Sequence, residues 1–226
     1  MKILLLCDDY YHPGEIPVEG TAPLREHGLQ FDIVSDAADF DSRSLNDYGA
    51  ALMCKCDHTS QKDKTPWKTP EVQRAFVDYV EGGGGLVVVH SGIVAGEETS
   101  VLDELIGCRF AFHPNGCPVS VQPLKPHPVT EGVGAFRETD EHYQVEFIKR
   151  DAEILLASYS QAQGDETKRE SDPYFNAAEQ IAASGYVREQ GKGRICVLTP
   201  GHLLPVWQNK NFQKLLLNAL RWCANK

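Results

Sequence analysis

Histidine is the side chain whose unperturbed charge changes nearest neutral pH, so its positions are the first guide to proton-transfer chemistry. The 226-residue sequence holds eight of them. Four follow apolar runs that read as strands: His12 after residues 3–7, His58 after 50–54, His90 after 86–89 and His202 after 194–198. Open parallel sheets bind ligands beyond the carboxyl ends of their strands. Four imidazoles at four such ends form the strongest chemical signal in the chain. Each also has a plainer reading. His90 and His202 could be packed, hydrogen-bonded rings at strand-to-helix turns, while His12 and His58 sit on loops where a solvated role is expected. Asp8 and Asp9 would then face solvent or cap the first helix.

A second cluster, Asp140-Glu141-His142-Tyr143 followed by Glu146, sets acid beside imidazole. Such a pair can supply a general base, a metal ligand or an acceptor for a sugar hydroxyl; on composition alone it could equally be an exposed polar loop. Val89-His90-Ser91-Gly92 has the strand-before, helix-after setting of a nucleophile elbow, without the full Gly-x-Ser-x-Gly. Ser91 with His202 as its base is the weak version of that chemistry. No cysteine stands at the turn, so thiolate amidase chemistry has no candidate there. Cys54 and Cys56 are the one close cysteine pair and leave a Cys-x-Cys zinc site open, although no second pair completes the tetrahedron. Gly82 to Gly85 precede a strand rather than follow one, which makes them a helix stop and not a phosphate loop. Gly191-Lys192-Gly193 reads as a hairpin turn.

The elements that must position these groups alternate between short apolar runs and amphipathic stretches, the pattern of a largely parallel sheet covered by helices. Residues 3–7 run without alternation, as a central strand buried on both faces does. Residues 31–34, 50–54 and 86–89 supply further strands. Val72, Phe76, Val77 and Val80 recur at helical spacing behind a Thr69-Pro70 start, predicting a helix over 70–81. A short helix follows Ser100. Prolines at 114, 118, 123, 126 and 128 argue for loops and short strands over 113–130. Asp165 to Asp172 is expected to be a surface hairpin tip or a mobile loop. Residues 182–187 and 194–198 read as paired strands, and Phe212 to Cys223 as a closing amphipathic helix. No linker interrupts residues 1–226, so one α/β domain is expected.

Thirty-two acidic against 22 basic residues give a formal charge of -10, which makes nucleic acid and anionic membrane poor partners. No apolar run approaches the roughly 20 residues of a membrane span. Asp8 and Asp9 stop the first apolar run too early for a signal peptide. Seven cysteines without a disulfide-like pattern fit reduced thiols, and a cytoplasmic location is expected. Apolar stripes alone do not separate a dimer face from a core face, so a homo-oligomer stays open.

Three segments together resemble the ThuA-like trehalose-utilisation family. They are Gly83-Gly84-Gly85-Leu86-Val87-Val88-Val89-His90-Ser91-Gly92, then His127-Pro128-Val129-Thr130-Glu131-Gly132-Val133 with Phe136 and Asp140 to Tyr143, and Gly191 to Ile195 leading to Thr199-Pro200-Gly201-His202. The ending Asn218-Ala219-Leu220-Arg221-Trp222 fits as well, so the likeness spans almost the whole chain. It implies a flavodoxin-like three-layer sandwich with a mostly parallel central sheet, of the class I glutamine amidotransferase type. In amidotransferases the elbow carries a cysteine and a late strand its histidine; here His90 takes the first position and His202 the second. Relatives often carry a Trp-Trp-Gly-His-like sequence after the third strand, where this chain has Cys54-Lys55-Cys56-Asp57-His58 and only His58 matches.

The resemblance implies a small-molecule sugar substrate: trehalose, a related glycoside or a keto-sugar. His90, Glu141 and His202 are then expected to be catalytic, with His58, His113, Tyr143 and Ser91 binding substrate. One imidazole would remove a proton while another group donates one, as in an isomerisation, hydration or hydrolysis. No cofactor is fixed by the sequence; a divalent metal such as zinc, held by two histidines and a carboxylate, is the candidate. The rival expectation is a non-catalytic sugar-binding or regulatory protein, in which Tyr10, Tyr11, Trp67, Tyr143 and Trp207 stack on the sugar. Glutamine amidotransfer itself lacks its nucleophile.

Overall fold

Alternate residues of the first strand belong to two different cores: Ile3, Leu5 and Cys7 to one, Leu4 and Leu6 to the other. A strand buried on both faces needs helices on both sides, and that requirement sets the architecture. The structure, a computed structural model, describes residues 1–95, 100–160 and 180–224. The expected feature at 165–172 lies outside them.

Among the described residues there are eleven strands: β1 (Lys2–Leu6), β2 (Gln30–Val34), β3 (Ala50–Met53), β4 (Gly85–Val89), β5 (Cys108–Phe112), β6 (Cys117–Pro123), β7 (Phe136–Asp140), β8 (Gln144–Phe147), β9 (Glu153–Ser160), β10 (Gln180–Gln190) and β11 (Gly193–Leu198). Nine form one sheet in the order β2-β1-β3-β4-β11-β10-β9-β6-β7, while β5 and β8 pair separately. From β2 to β11 neighbours are parallel; from β11 onward they are antiparallel. The chain leaves β1 toward β2 on one side and returns to β3 on the other. That reversal opens a crevice at the carboxyl ends of β1 and β3.

The helices are α1 (Glu15–Thr21), α2 (Pro70–Glu81), α3 (Val101–Ile106), α4 (Leu204–Gln208) and α5 (Lys210–Ala224). Thr69 caps α2 by accepting the Val72 N–H, with proline in the first turn as predicted. Phe76 and Val80 of α2 and Leu102 and Ile106 of α3 cover one face. Phe212, Leu215, Leu216, Ala219 and Leu220 of α5 cover the other, together with Trp207 of α4. Each fully buried large apolar side chain contributes about 1.5–3 kcal/mol, so α5 anchors its face of the parallel strands. The antiparallel extension curls back toward them. Asp140, on the last strand in the order, accepts hydrogen bonds from the N–H groups of Gly201 and His202 beyond β11, at 2.8 and 2.9 Å.

Candidate active site

The hollow at the parallel strand ends has a volume of about 600 Å³, within the usual range for small-molecule sites. Its wall includes His12, His58, His113, Glu141, Tyr143 and His202, with Tyr11 and Lys64 at the rim.

His90 occupies the sharp turn after β4 in a left-handed conformation, φ 47°, which a non-glycine residue adopts only when its surroundings hold it. This is the shape of a nucleophile elbow with an imidazole at its tip. Gly92 lets the turn sit flush on β3, because a Cβ there would stand 2.2 Å from the Met53 carbonyl oxygen. Alanine at Gly92 is therefore expected to cost at least about 1–3 kcal/mol and to lower Tm by about 2–4 °C for each of them. A thermal melt checks it; an unchanged Tm would mean that the elbow has slack.

Glu141 is the centre of the cluster. Its Oε2 lies 3.1 Å from His202 Nδ1, 3.3 Å from His90 Nε2 and 3.6 Å from His113 Nε2. Burial opposes its ionisation, yet His202 and then His90 outweigh that and hold the carboxyl well below the usual range. The same pairing raises His202 above the ordinary imidazole value, against the effect of burial. His90 is only 2% exposed and burial pushes its pKa down. Its Nδ1 stands 2.8 Å from the Thr199 carbonyl oxygen, which can only accept, so the ring proton is assigned there.

The 140–143 cluster leaves β7 at Asp140 and crosses to β8, and its side chains part on the way. Asp140 points to the loop before His202, Glu141 and Tyr143 reach the hollow, and His142 turns away between the hydroxyls of Ser158 and Ser160. Without a charged partner, buried His142 is pushed down to about 4. Tyr143 packs its ring on His90, with centroids 3.8 Å apart, and stacks with His113 at 5.3 Å. It holds two imidazoles in place as well as lining the hollow.

His12, expected to be solvated, belongs to the cluster instead. Its ring centroid is 5.3 Å from that of His90 and 5.2 Å from that of His202. Asp9, fully buried, accepts from His12 Nδ1 at 2.7 Å and from the backbone N–H groups of Tyr11, His12 and Cys56. The turn that allows this begins at Asp8, in the left-handed region with φ 72°. Asp9 is thus neither a solvent face nor a cap, while half-buried Asp8 accepts the N–H of Gly14 at the start of the first helix, as expected of a cap.

Other expectations need correction. Ser91 is buried and is not part of the wall of the hollow, because the 3₁₀ turn that lifts His90 keeps the next residue beneath it. Trp67 and Trp207 are core residues; their indole N–H groups donate to the carbonyls of Cys56 and Gly201. Only Tyr11 and Tyr143 of the five suggested stacking aromatics line the hollow. Cys54 sits in the core while Cys56 lines the hollow 3.4 Å from His58 Nδ1, so the pair does not form a joint metal site. Burial, with Asp9 beside it, pushes the Cys56 thiol up to about 12, far from a reactive thiolate.

A family model described as ThuA, trehalose utilisation, matches residues 10–223. A ThuA-like protein of Parabacteroides merdae has the same fold with a TM-score of 0.73 and 19% identity, over 100% of this chain and 90% of its own. A second, from Bacteroides uniformis, gives 0.70 and 20% over 99% and 91%. A glutamine amidotransferase of Thermotoga maritima gives 0.62 and 12% over 100% and 99%. At these identities the likeness is one of fold. No curated protein matches the chain.

Proposed function

The chain belongs to the ThuA family, and we propose that its hollow takes a sugar derivative and carries out acid-base chemistry on it without a covalent thiol step. The substrate class is trehalose, a related glycoside or a keto-sugar, in line with the description the family carries. One observation supports the chemistry above all: three imidazole nitrogens stand within 3.6 Å of a single carboxylate oxygen at the wall of an open hollow. Environments that push neighbouring pKa values apart favour a division into acid and base. Here Glu141 is driven toward the anion, His202 toward the cation and His90 toward the neutral ring.

Abstraction of a proton next to a keto group, or its delivery to a leaving glycosidic oxygen, needs donor and acceptor within hydrogen-bond reach of one substrate. Glu141, His202 and His113 offer that at the wall, while buried His90 stands behind Glu141. Tyr11 and Tyr143 give the hollow flat apolar surface for the face of a sugar ring. Seven free, buried cysteines support a reducing compartment, hence a cytoplasmic location. Among the described residues no helix is long and apolar enough to cross a membrane.

The test is a thermal-shift panel of disaccharides, glycosides and their oxidised forms, followed by product analysis of every compound that raises Tm. A compound that binds and is converted is expected. Binding without any product would establish the non-catalytic sugar-binding alternative. No binding across the panel would overturn the substrate class.

A further inference from the structure

The tautomers around Glu141 conflict with a cluster held together by hydrogen bonds alone. His90 carries its proton on Nδ1, opposite the Thr199 carbonyl, so a neutral ring turns an Nε2 lone pair toward Glu141 Oε2 at 3.3 Å. That oxygen offers only lone pairs when ionised. His12 is fixed in the same way. Its Nδ1 is engaged by Asp9 at 2.7 Å, which leaves Nε2 as its free nitrogen. His202 Nδ1 is buried and stands 3.1 Å from the same carboxylate oxygen, yet it is not aligned for a hydrogen bond. The Nε2 lone pairs of His90 and His12 therefore stand in one cluster with the Glu141 carboxylate, and His202 meets the same carboxylate oxygen.

We infer that His12, His90, His202 and Glu141 form a binding site for one divalent cation of the zinc class. One ligand atom from each lies within 4.8 Å of all the others. Ligand atoms around a tetrahedral zinc stand about 3.3 Å apart, given metal–ligand bonds of about 2.0–2.1 Å. The 3.1 and 3.3 Å contacts of Glu141 already match that spacing. Imidazole-rich sets favour first-row ions such as Zn²⁺ or Co²⁺ over Mg²⁺ and Ca²⁺. The supporting shell is the kind that metal-binding histidines have. Asp9 orients His12, and the Thr199 carbonyl orients His90. Asp140 fixes the backbone that carries His202.

The site lies on the hollow's wall, so a carbonyl or hydroxyl oxygen of a sugar could be polarised there if the ion expands from four to five ligands. This goes beyond the acid-base reading and narrows it. With a cation in place the four residues hold it, and His113, whose Nε2 is 3.6 Å from Glu141 but outside the ligand group, is the imidazole free to move a proton.

The experiment needs no sugar, so it stands whether or not the substrate panel succeeds. Protein purified without an affinity tag and stripped with chelator is titrated with Zn²⁺ and Co²⁺ by calorimetry, with visible absorption of the Co²⁺ form and Tm as further readouts. One equivalent per chain, a Co²⁺ ligand-field band and a raised Tm are expected. Glu141→Gln and His12→Gln are each expected to weaken binding by at least about 100-fold. His27→Gln, on a distant exposed histidine, and Cys56→Ser are expected to bind as the parent does. Far-UV circular dichroism and a cooperative melt check that each variant is folded, and His12→Gln stands in if Glu141→Gln is not. No binding to folded parent protein would overturn the inference. So would binding that survives both ligand changes, or binding that only Cys56→Ser abolishes, which would move the ion to Asp9, Cys56 and His58.

Discussion

Glutamine in place of Glu141 is expected to lower turnover of the sugar derivative by about 10²–10⁴-fold, the usual reach of a positioned acid-base group. The exchange keeps the size of the side chain and its place between the rings, so packing is spared. It removes the charge on which three imidazoles converge. His202 loses the partner that raises its pKa, and the wall of the hollow loses its one central anion. His202→Ala and His90→Ala are each expected to cost about 10²-fold or more. Because the groups act as a unit, the pair Glu141→Gln with His202→Ala should be no worse than its poorer member. Steady-state kinetics with the compound found by product analysis reads this directly. Activity of Glu141→Gln within a few-fold of the parent would remove the cluster from the chemistry.

His90 and His202 are legible as candidates because they follow strands. A buried parallel strand announces itself as an unbroken apolar run, and whatever polar residue ends it lies at the sheet's carboxyl edge; His90 and His202 were found in this way. His12 was not, because its placement depends on a left-handed residue at Asp8 and on a carboxylate buried behind it. Neither has a period or a spacing in the sequence. The tryptophans failed for a related reason. An indole reads as a sugar platform only when it is exposed, and Trp67 and Trp207 are buried with their N–H groups bonded to loop carbonyls.

The same distinction holds for the fold. Strands β1, β3, β4 and β11 and helices α2 and α5 carry long apolar patterns and were expected. The first helix has no such pattern to set its bounds, since Pro17 and Gly20 inside Glu15–Thr21 contradict helix propensity. Gly20 is needed there because a Cβ would stand 2.4 Å from the Trp207 side chain. Tertiary contact overrides the local preference. The curl that brings Asp140, from the far edge of the sheet, to the backbone before His202 is likewise a long-range event. It leaves only an acid next to Glu141 as its trace in the sequence.

Alanine at Asp9 is expected to destabilise the fold by about 3–5 kcal/mol, as the loss of one member of a buried hydrogen-bonded charge pair does. At about 2–4 °C per kcal/mol for a chain of this size, Tm should fall by about 6–20 °C. Asp9 is fully buried and its two oxygens serve four donors: the backbone N–H groups of Tyr11, His12 and Cys56, and the His12 ring. Burial opposes its charge, but the hydrogen bond and charge of His12 followed by the backbone donors overcome this and hold the carboxyl well below the usual range. Asparagine keeps one acceptor for His12 and turns an amide N–H₂ toward the Cys56 N–H, so an intermediate loss of about 1–3 kcal/mol is expected. A melt of both variants checks the order, and a fall of less than about 2 °C for alanine would show that water replaces the carboxylate. The distance between alanine and asparagine measures what the second oxygen does. That oxygen ties the loop after β3 to the loop after β1, the two segments between which the crevice opens.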